Sequence, residues 1–169
     1  TATMLEAMRR AEPGVAIGTV VNTHSNGDHC NGNGLLPEAR IIASETCALE
    51  MERERPETLA AILREADGMG ETGAYFRHCF GAFDFAGVHR RLPDCTFSGS
   101  TTLRVGDRSV ELHEVGPAHT HGDVIAWVPD ARTVYTGDIL FVEGHPIVWA
   151  GPVSNWLRAC ERIEALDPE

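Results

Sequence analysis

Apolar and polar positions along the chain follow two different periods. Met4, Leu5, Met8 and Ala11 recur at helical spacing and Pro13-Gly14 stops the run, so a short amphipathic helix is predicted over residues 3–12. Ala16 to Val21 is an apolar run with the composition of a buried strand. It empties into Asn22-Thr23-His24-Ser25-Asn26-Gly27-Asp28-His29, which is too polar to be core. Asn31-Gly32-Asn33-Gly34 reads as a loop or a frayed helix, and Arg40 to Ala43 as a second short strand. Ser44 is placed to cap a helix running to Glu54, and Pro56 suits the first turn of another ending near Gly68.

The stretch from Glu71 to Pro93 has the least regular pattern, and it holds Phe76, Phe80, Phe83 and Phe85. Thr101–Val105 and Ser109–Val115 alternate around Gly106-Asp107-Arg108, a hairpin signal. Val124–Val128 and Thr133–Tyr135 pair across Pro129–Arg132 as a second hairpin, which ends in Thr136-Gly137-Asp138. Ser154 reads as the cap of a last helix with Val153, Trp156, Cys160 and Ile163 on one face. No repeat, low-complexity run or linker divides the chain, so residues 1–169 are expected to form a single α/β domain.

Charge and cysteine usage narrow the function classes. The formal net charge is −11, which gives no electrostatic reason to bind a phosphate backbone or an anionic membrane face. The charge-free stretch Gly144 to Leu157 contains two prolines and is too short to span a bilayer. Five widely spaced cysteines without a Cys-x-x-Cys argue against a disulfide framework and against an all-thiolate zinc site; a reducing cytoplasm is the expected location.

The metal-capable residues are not scattered. His24, Asp28 and His29 follow the first strand, His119 and His121 precede the Val124–Val128 strand, and Asp138 follows the Thr133–Tyr135 strand. Imidazole and carboxylate suit zinc, with iron or manganese as alternatives, whereas a calcium cage uses oxygen alone. In an irregular loop, His24, Asn26 and Asp28 at i, i+2 and i+4 can project toward one point and His29 toward a neighbouring one. His119 would join the first point and Asp138 would bridge both. One or two ions held there would lower the pKa of a shared water to roughly 7. His78, His89, His113 and His145 are read as ordinary surface or structural histidines, with His113 outward of Val110 and Leu112.

Thr-His-Ser-Asn-Gly-Asp-His (23–29), Gly-Pro-Ala-His-Thr-His-Gly-Asp (116–123) and Tyr-Thr-Gly-Asp-Ile-Leu-Phe (135–141) resemble successive signatures of the metallo-β-lactamase superfamily, in its glyoxalase II-like or cyclase-like branch. The resemblance implies an αβ/βα sandwich of two mixed sheets with outer helices and metal at one edge between the sheets. It implies His24, Asn26, Asp28, His29, His119 and Asp138 as the metal-binding positions, with Asp28 also positioning water or moving its proton. Two departures stand out. Asn26 replaces the family's second motif histidine, and an amide oxygen is a weaker zinc ligand than imidazole. The family's last histidine follows the final helix, and its N-terminal strands precede the position of Thr1, so a sandwich incomplete at both termini is expected. His121, where the family often has proline, is expected to stand outside the ligand set.

The implied activity is hydrolysis of an ester, thioester, lactone or amide carbonyl by a metal-activated water. The substrate would be a small molecule, apolar or aromatic if Phe76–Phe85 reaches over the site. Alternatives on the same fold are a polyketide-type cyclase or thioesterase, an iron-dependent thiol dioxygenase, and a degenerate non-catalytic metal-binding domain.

Overall fold

The computed structural model describes residues 1–169. Along the chain run α1 (Ala2–Ala11), β1 (Thr19–Val21), the one-turn α2 (Gly27–Cys30), β2 (Arg40–Ser44), α3 (Glu45–Arg53), α4 (Pro56–Glu65) and α5 (Gly70–Phe80). They are followed by β3 (Cys95–Phe97), β4 (Ser100–Val105), β5 (Arg108–Glu114), β6 (Val124–Val128), β7 (Thr133–Tyr135) and α6 (Val153–Ala165). Strands β1-β2-β3 form one sheet, in which both pairings are parallel. Strands β4-β5-β6-β7 form the other, a meander in which every pairing is antiparallel. Neither sheet is mixed, contrary to the expectation from the family resemblance. The hairpin-length links of the second half permit only antiparallel neighbours, whereas the long helical connections of the first half permit parallel ones.

The two-residue side-chain period of a strand decides which layer each residue joins. On β2, Ile42 points between the sheets and meets Leu112, Val124 and Ala126 from the other sheet. Its neighbour Ala43 points outward to Cys30, Cys47 and Met51, which seats α3 on the first sheet. On β6, Ile125 points to the opposite side from Val124 and packs with Trp156, Ala159 and Ile163 of α6. The order helix, sheet, sheet, helix follows from these alternations. Each large side chain so buried contributes about 1.5–3 kcal/mol. No helix is long and apolar enough to cross a membrane.

Several local expectations change. β1 is shorter than the apolar run from Ala16, because its partner begins at Arg40; Gly18 supplies its carbonyl to the Arg40 N–H (2.9 Å) and the ladder starts one residue later. The irregular stretch after Gly68 contains α5. Its Gly73 interrupts the apolar pattern, but a Cβ there would fall on the Ala66 carbonyl, so close packing selects glycine. The last helix begins at Val153 with Pro152 at the cap position, which places Ser154 inside the first turn. Its buried face is Trp156, Ala159 and Ile163, while Val153 is exposed. His113 is not outward: α6 covers it, with Arg162 Nη2 at 2.9 Å from its Nδ1 and Glu111 Oε2 at 3.1 Å from its Nε2.

Candidate metal centre

Three loops meet at one edge of the sandwich. The loop after β1 is tied to the second sheet by the Val124 N–H, which donates to the Thr23 carbonyl at 2.7 Å. Asn22 and Asn33, both buried, exchange amide hydrogen bonds at 3.1 and 2.8 Å, and Asn22 also donates to the His29 carbonyl. This pair holds the 22–33 loop in a closed shape that a run of small polar residues would not keep alone. The loop ahead of β6 is organised by Asp123, whose buried carboxylate accepts from Thr120 Oγ1 (2.8 Å), Thr120 N (3.0 Å) and Ala118 N (3.2 Å). Those bonds fix the backbone on either side of His119. After β7, Gly137 takes φ +53°, and a Cβ there would stand 2.9 Å from the Thr23 side chain. Glycine at this position therefore lets Asp138 approach the first loop.

The side chains then converge. The Nε2 atoms of His29, His119 and His24 lie 3.3, 3.6 and 4.0 Å from the Asp138 carboxylate oxygens. The His24 and His119 rings are edge-on, with centroids 4.8 Å apart. His119 Nδ1 donates to the Ile147 carbonyl at 2.7 Å, which leaves its Nε2 as a lone pair directed into the cluster. Asn26 occupies the N-cap position of α2 but makes no capping bond with its side chain; its Nδ2 lies 3.1 Å from His119 Nε2. A residue type that ordinarily caps a helix here turns its amide to the imidazoles instead.

Electrostatics follow from this crowding. His24 is 1% exposed, and its Nε2 has no hydrogen-bond partner while Thr23 Oγ1 occupies Nδ1 at 3.0 Å. Burial, with His29 and His119 adding to it, lowers its pKa from 6.5 to about 3. His29 is shifted upward, chiefly by its hydrogen bond to Asp28, whose Oδ2 is 3.3 Å from His29 Nε2. The same bond holds the Asp28 carboxyl below its usual range. Asp28 itself stands at the rim, its side chain 78% exposed.

A cation fits these residues. His24, His29 and Asp138 offer ligand atoms that all lie within 4.8 Å of one another. Two ligands of a tetrahedral zinc stand about 3.3 Å apart, close to the spacings found here. A buried imidazole nitrogen without a partner costs about 1–3 kcal/mol, and coordination is the interaction that would satisfy it. His121 turns the other way: its Nδ1 lies 2.7 Å from Glu50 Oε1 and its side chain is 64% exposed. The aromatic rings beside the imidazoles are Trp156 and Phe141, 6.0 and 6.4 Å from His119, whereas Phe76 packs against Tyr75 and Phe80. Sequence reading singled out neither Asp123 nor Asn33 nor Glu50. Asp123 was open to recognition from its place directly after Gly122 in the His119 segment; the other two carry no local signal.

Comparison with known proteins agrees with this arrangement. The family model described as the metallo-beta-lactamase superfamily matches residues 1–169. A hydroxyacylglutathione hydrolase of Methylococcus capsulatus is 29% identical over 158 residues, covering 92% of this chain and 46% of that protein. Among solved structures, a metallo-beta-lactamase from Pontibacter korlensis superposes with a TM-score of 0.63 at 16% identity, over 96% of this chain and 62% of that one. The metallo-beta-lactamase IND-7 gives 0.61 at 13% identity, over 97% and 62%. The chain thus spans about half the length of the curated relative and under two thirds of the structural ones. With the sandwich, the edge cluster and the full-length family match in agreement, the chain belongs to the metallo-beta-lactamase superfamily.

Proposed function

We propose that this protein is a metal-dependent hydrolase acting on a thioester or ester carbonyl, with zinc as the cation and iron or manganese as alternatives. The observation that carries the reading is the convergence of three imidazole Nε2 atoms on Asp138, one of them buried and unpartnered. In this reading His24, His119 and Asp138 would hold one ion, with Oδ1 of Asn26, once its amide turns from the present Nδ2 contact with His119, as a weak fourth ligand, and Asp28, His29 and Asp138 would serve a second position. A divalent cation supplies Lewis acidity, which makes water nucleophilic at neutral pH and polarises a carbonyl.

The chain's own residues do the rest. Burial suppresses protonation of His24, and the Ile147 carbonyl engages Nδ1 of His119, so that the Nε2 atoms of both rings face the cluster. Asp28 is ionised at neutral pH and solvent-facing, so it can orient a water molecule and take its proton. Ile147, Trp149 and Phe141 stand around His119: the Trp149 and Ala150 N–H groups donate to the His119 carbonyl at 2.9 and 3.1 Å. This backbone attachment leaves Ile147 half exposed and Trp149 64% exposed beside the site. Such a rim suits the apolar part of an acyl group. A thioester is favoured because the curated relative is named for an acylglutathione, which is a thioester.

The test is reconstitution of chelator-treated protein with zinc, iron or manganese, followed by assay on acyl thioesters and p-nitrophenyl esters. The expected result is metal-dependent hydrolysis abolished by Asp138→Ala. Ring closure of a polyketone without water uptake, oxygen consumption with a thiol, or metal binding without turnover would each replace this reading.

A further inference from the structure

Glu50 lies on α3, outside every motif and outside the ligand cluster, yet its carboxylate reaches two of the three site loops at once. Its Oε2 accepts from Ser25 Oγ at 3.2 Å, between His24 and Asn26. Its Oε1 accepts from His121 N at 3.3 Å and His121 Nδ1 at 2.7 Å, two residues beyond His119. The helix that carries it is itself fixed to the second loop, because the capping Ser44 hydroxyl donates to the Gly122 carbonyl at 2.8 Å while accepting from Cys47 N. A Cβ on Gly122 would collide with Cys47, so loop and helix are in contact along that side. Cys30 Sγ adds a further hold on the Ser25 carbonyl at 3.1 Å.

The charge environment of Glu50 is unusual for a structural acid. Its side chain is only 18% exposed, and its one ion-pair partner is His121. One turn further along α3, Glu54 is an acid too, and burial, then the nearby Glu50 charge, raise its carboxyl. A fold gains little from a largely buried carboxylate with another acid beside it, unless a cation nearby makes up the balance.

We propose that Glu50 is a positioning residue for the metal centre: it clamps the His24–Asn26 loop to the His119–His121 loop, and its negative charge favours a cation between them. The proposal rests on the metal-site reading given above. Outer groups that hold ligands in place typically change metal affinity by about 10–100-fold.

The experiment measures Zn²⁺ affinity by competition with a chromophoric chelator, and the visible spectrum after Co²⁺ loading. The proteins are the wild type, Glu50→Ala, Glu50→Gln, His121→Ala and the control Glu45→Gln, an exposed position in the first turn of α3. Unfolding of each chelator-treated protein is followed in parallel. Glu50→Ala is expected to weaken Zn²⁺ binding about 10–100-fold and to alter the Co²⁺ bands. Glu50→Gln and His121→Ala, which each keep part of the clamp, should fall between it and the wild type; Glu45→Gln should match the wild type. Should Glu50→Ala fail to fold, the other two clamp variants decide the matter. Wild-type affinity and spectrum in those variants, or an affinity loss that only tracks lost chelated-state stability, overturns the role of Glu50. A wild type that binds neither Zn²⁺ nor Co²⁺ overturns the metal reading itself, and the clamp with it.

Discussion

Replacing His24 with leucine should stabilise the chelated protein while abolishing metal binding. His24 is fully buried, its Nε2 has no partner, and its one polar contact is Thr23 Oγ1. An unsatisfied buried nitrogen costs about 1–3 kcal/mol and the lost Thr23 bond is worth about 1 kcal/mol, so the variant gains about 1 kcal/mol at pH 7.5. The pH dependence is the sharper readout. In the fold His24 stays neutral down to about pH 3, whereas in the unfolded chain it takes a proton near 6.5. Below 6.5 the unfolded state therefore binds more protons, and wild-type stability falls by about 1.4 kcal/mol per pH unit from this group. His29 carries the opposite shift, so its contribution is complete below its unfolded pKa and adds no slope in that window. The advantage of His24→Leu should thus grow by about 2 kcal/mol between pH 7.5 and pH 5. Urea unfolding in chelator at both pH values measures it. Parallel pH profiles for wild type and variant would refute the reasoning, whatever the offset between them.

Three further outcomes are expected. Asp123→Ala strips acceptors from the buried N–H groups of Ala118 and Thr120, and should lower stability by about 2–5 kcal/mol in urea unfolding, with metal affinity falling alongside. Asn26→His supplies the imidazole that the family motif carries and should raise zinc affinity about tenfold or more in a chelator competition; unchanged affinity would mean that Asn26 lies outside the coordination sphere. Trp149→Ala should raise KM for aryl or long-chain acyl substrates several-fold, up to about tenfold, with little change for acetyl substrates and little change in kcat.

The second half of the sandwich was more legible in the sequence than the first. Alternation around Gly106-Asp107-Arg108 and the turn residues Pro129–Arg132 marked both hairpins, but Arg108 joins β5 and pairs with Val105, so the turn is Gly106-Asp107 alone and the register, Thr101↔Leu112, lies one residue from that of a three-residue turn. In the first half, β3 is only three residues long and receives its place from β2, a non-local partner that no local pattern reveals. α5 stayed hidden because Gly73, an unfavourable helix residue on propensity, is retained for its contact with Ala66.

The same division runs through the site. The imidazoles and Asp138 were legible because they sit in three motifs at strand ends, and the structure brings His24, His29, His119 and Asp138 to one place. Asn33, Asp123 and Glu50 matter through burial and through partners 11, 3 and 71 residues away, and residue type alone does not give burial. His121 illustrates the limit in reverse. Its type and spacing match a ligand, and a glutamate on a helix directs it away.

Anomalous diffraction at the zinc absorption edge, from crystals of the full chain soaked in zinc, tests the metal centre most directly. A peak is expected about 2.0–2.2 Å from Nε2 of His24, Nε2 of His119 and a carboxylate oxygen of Asp138. Zinc bound only elsewhere on the acidic surface, with His24 Nε2 still unpartnered, would contradict it.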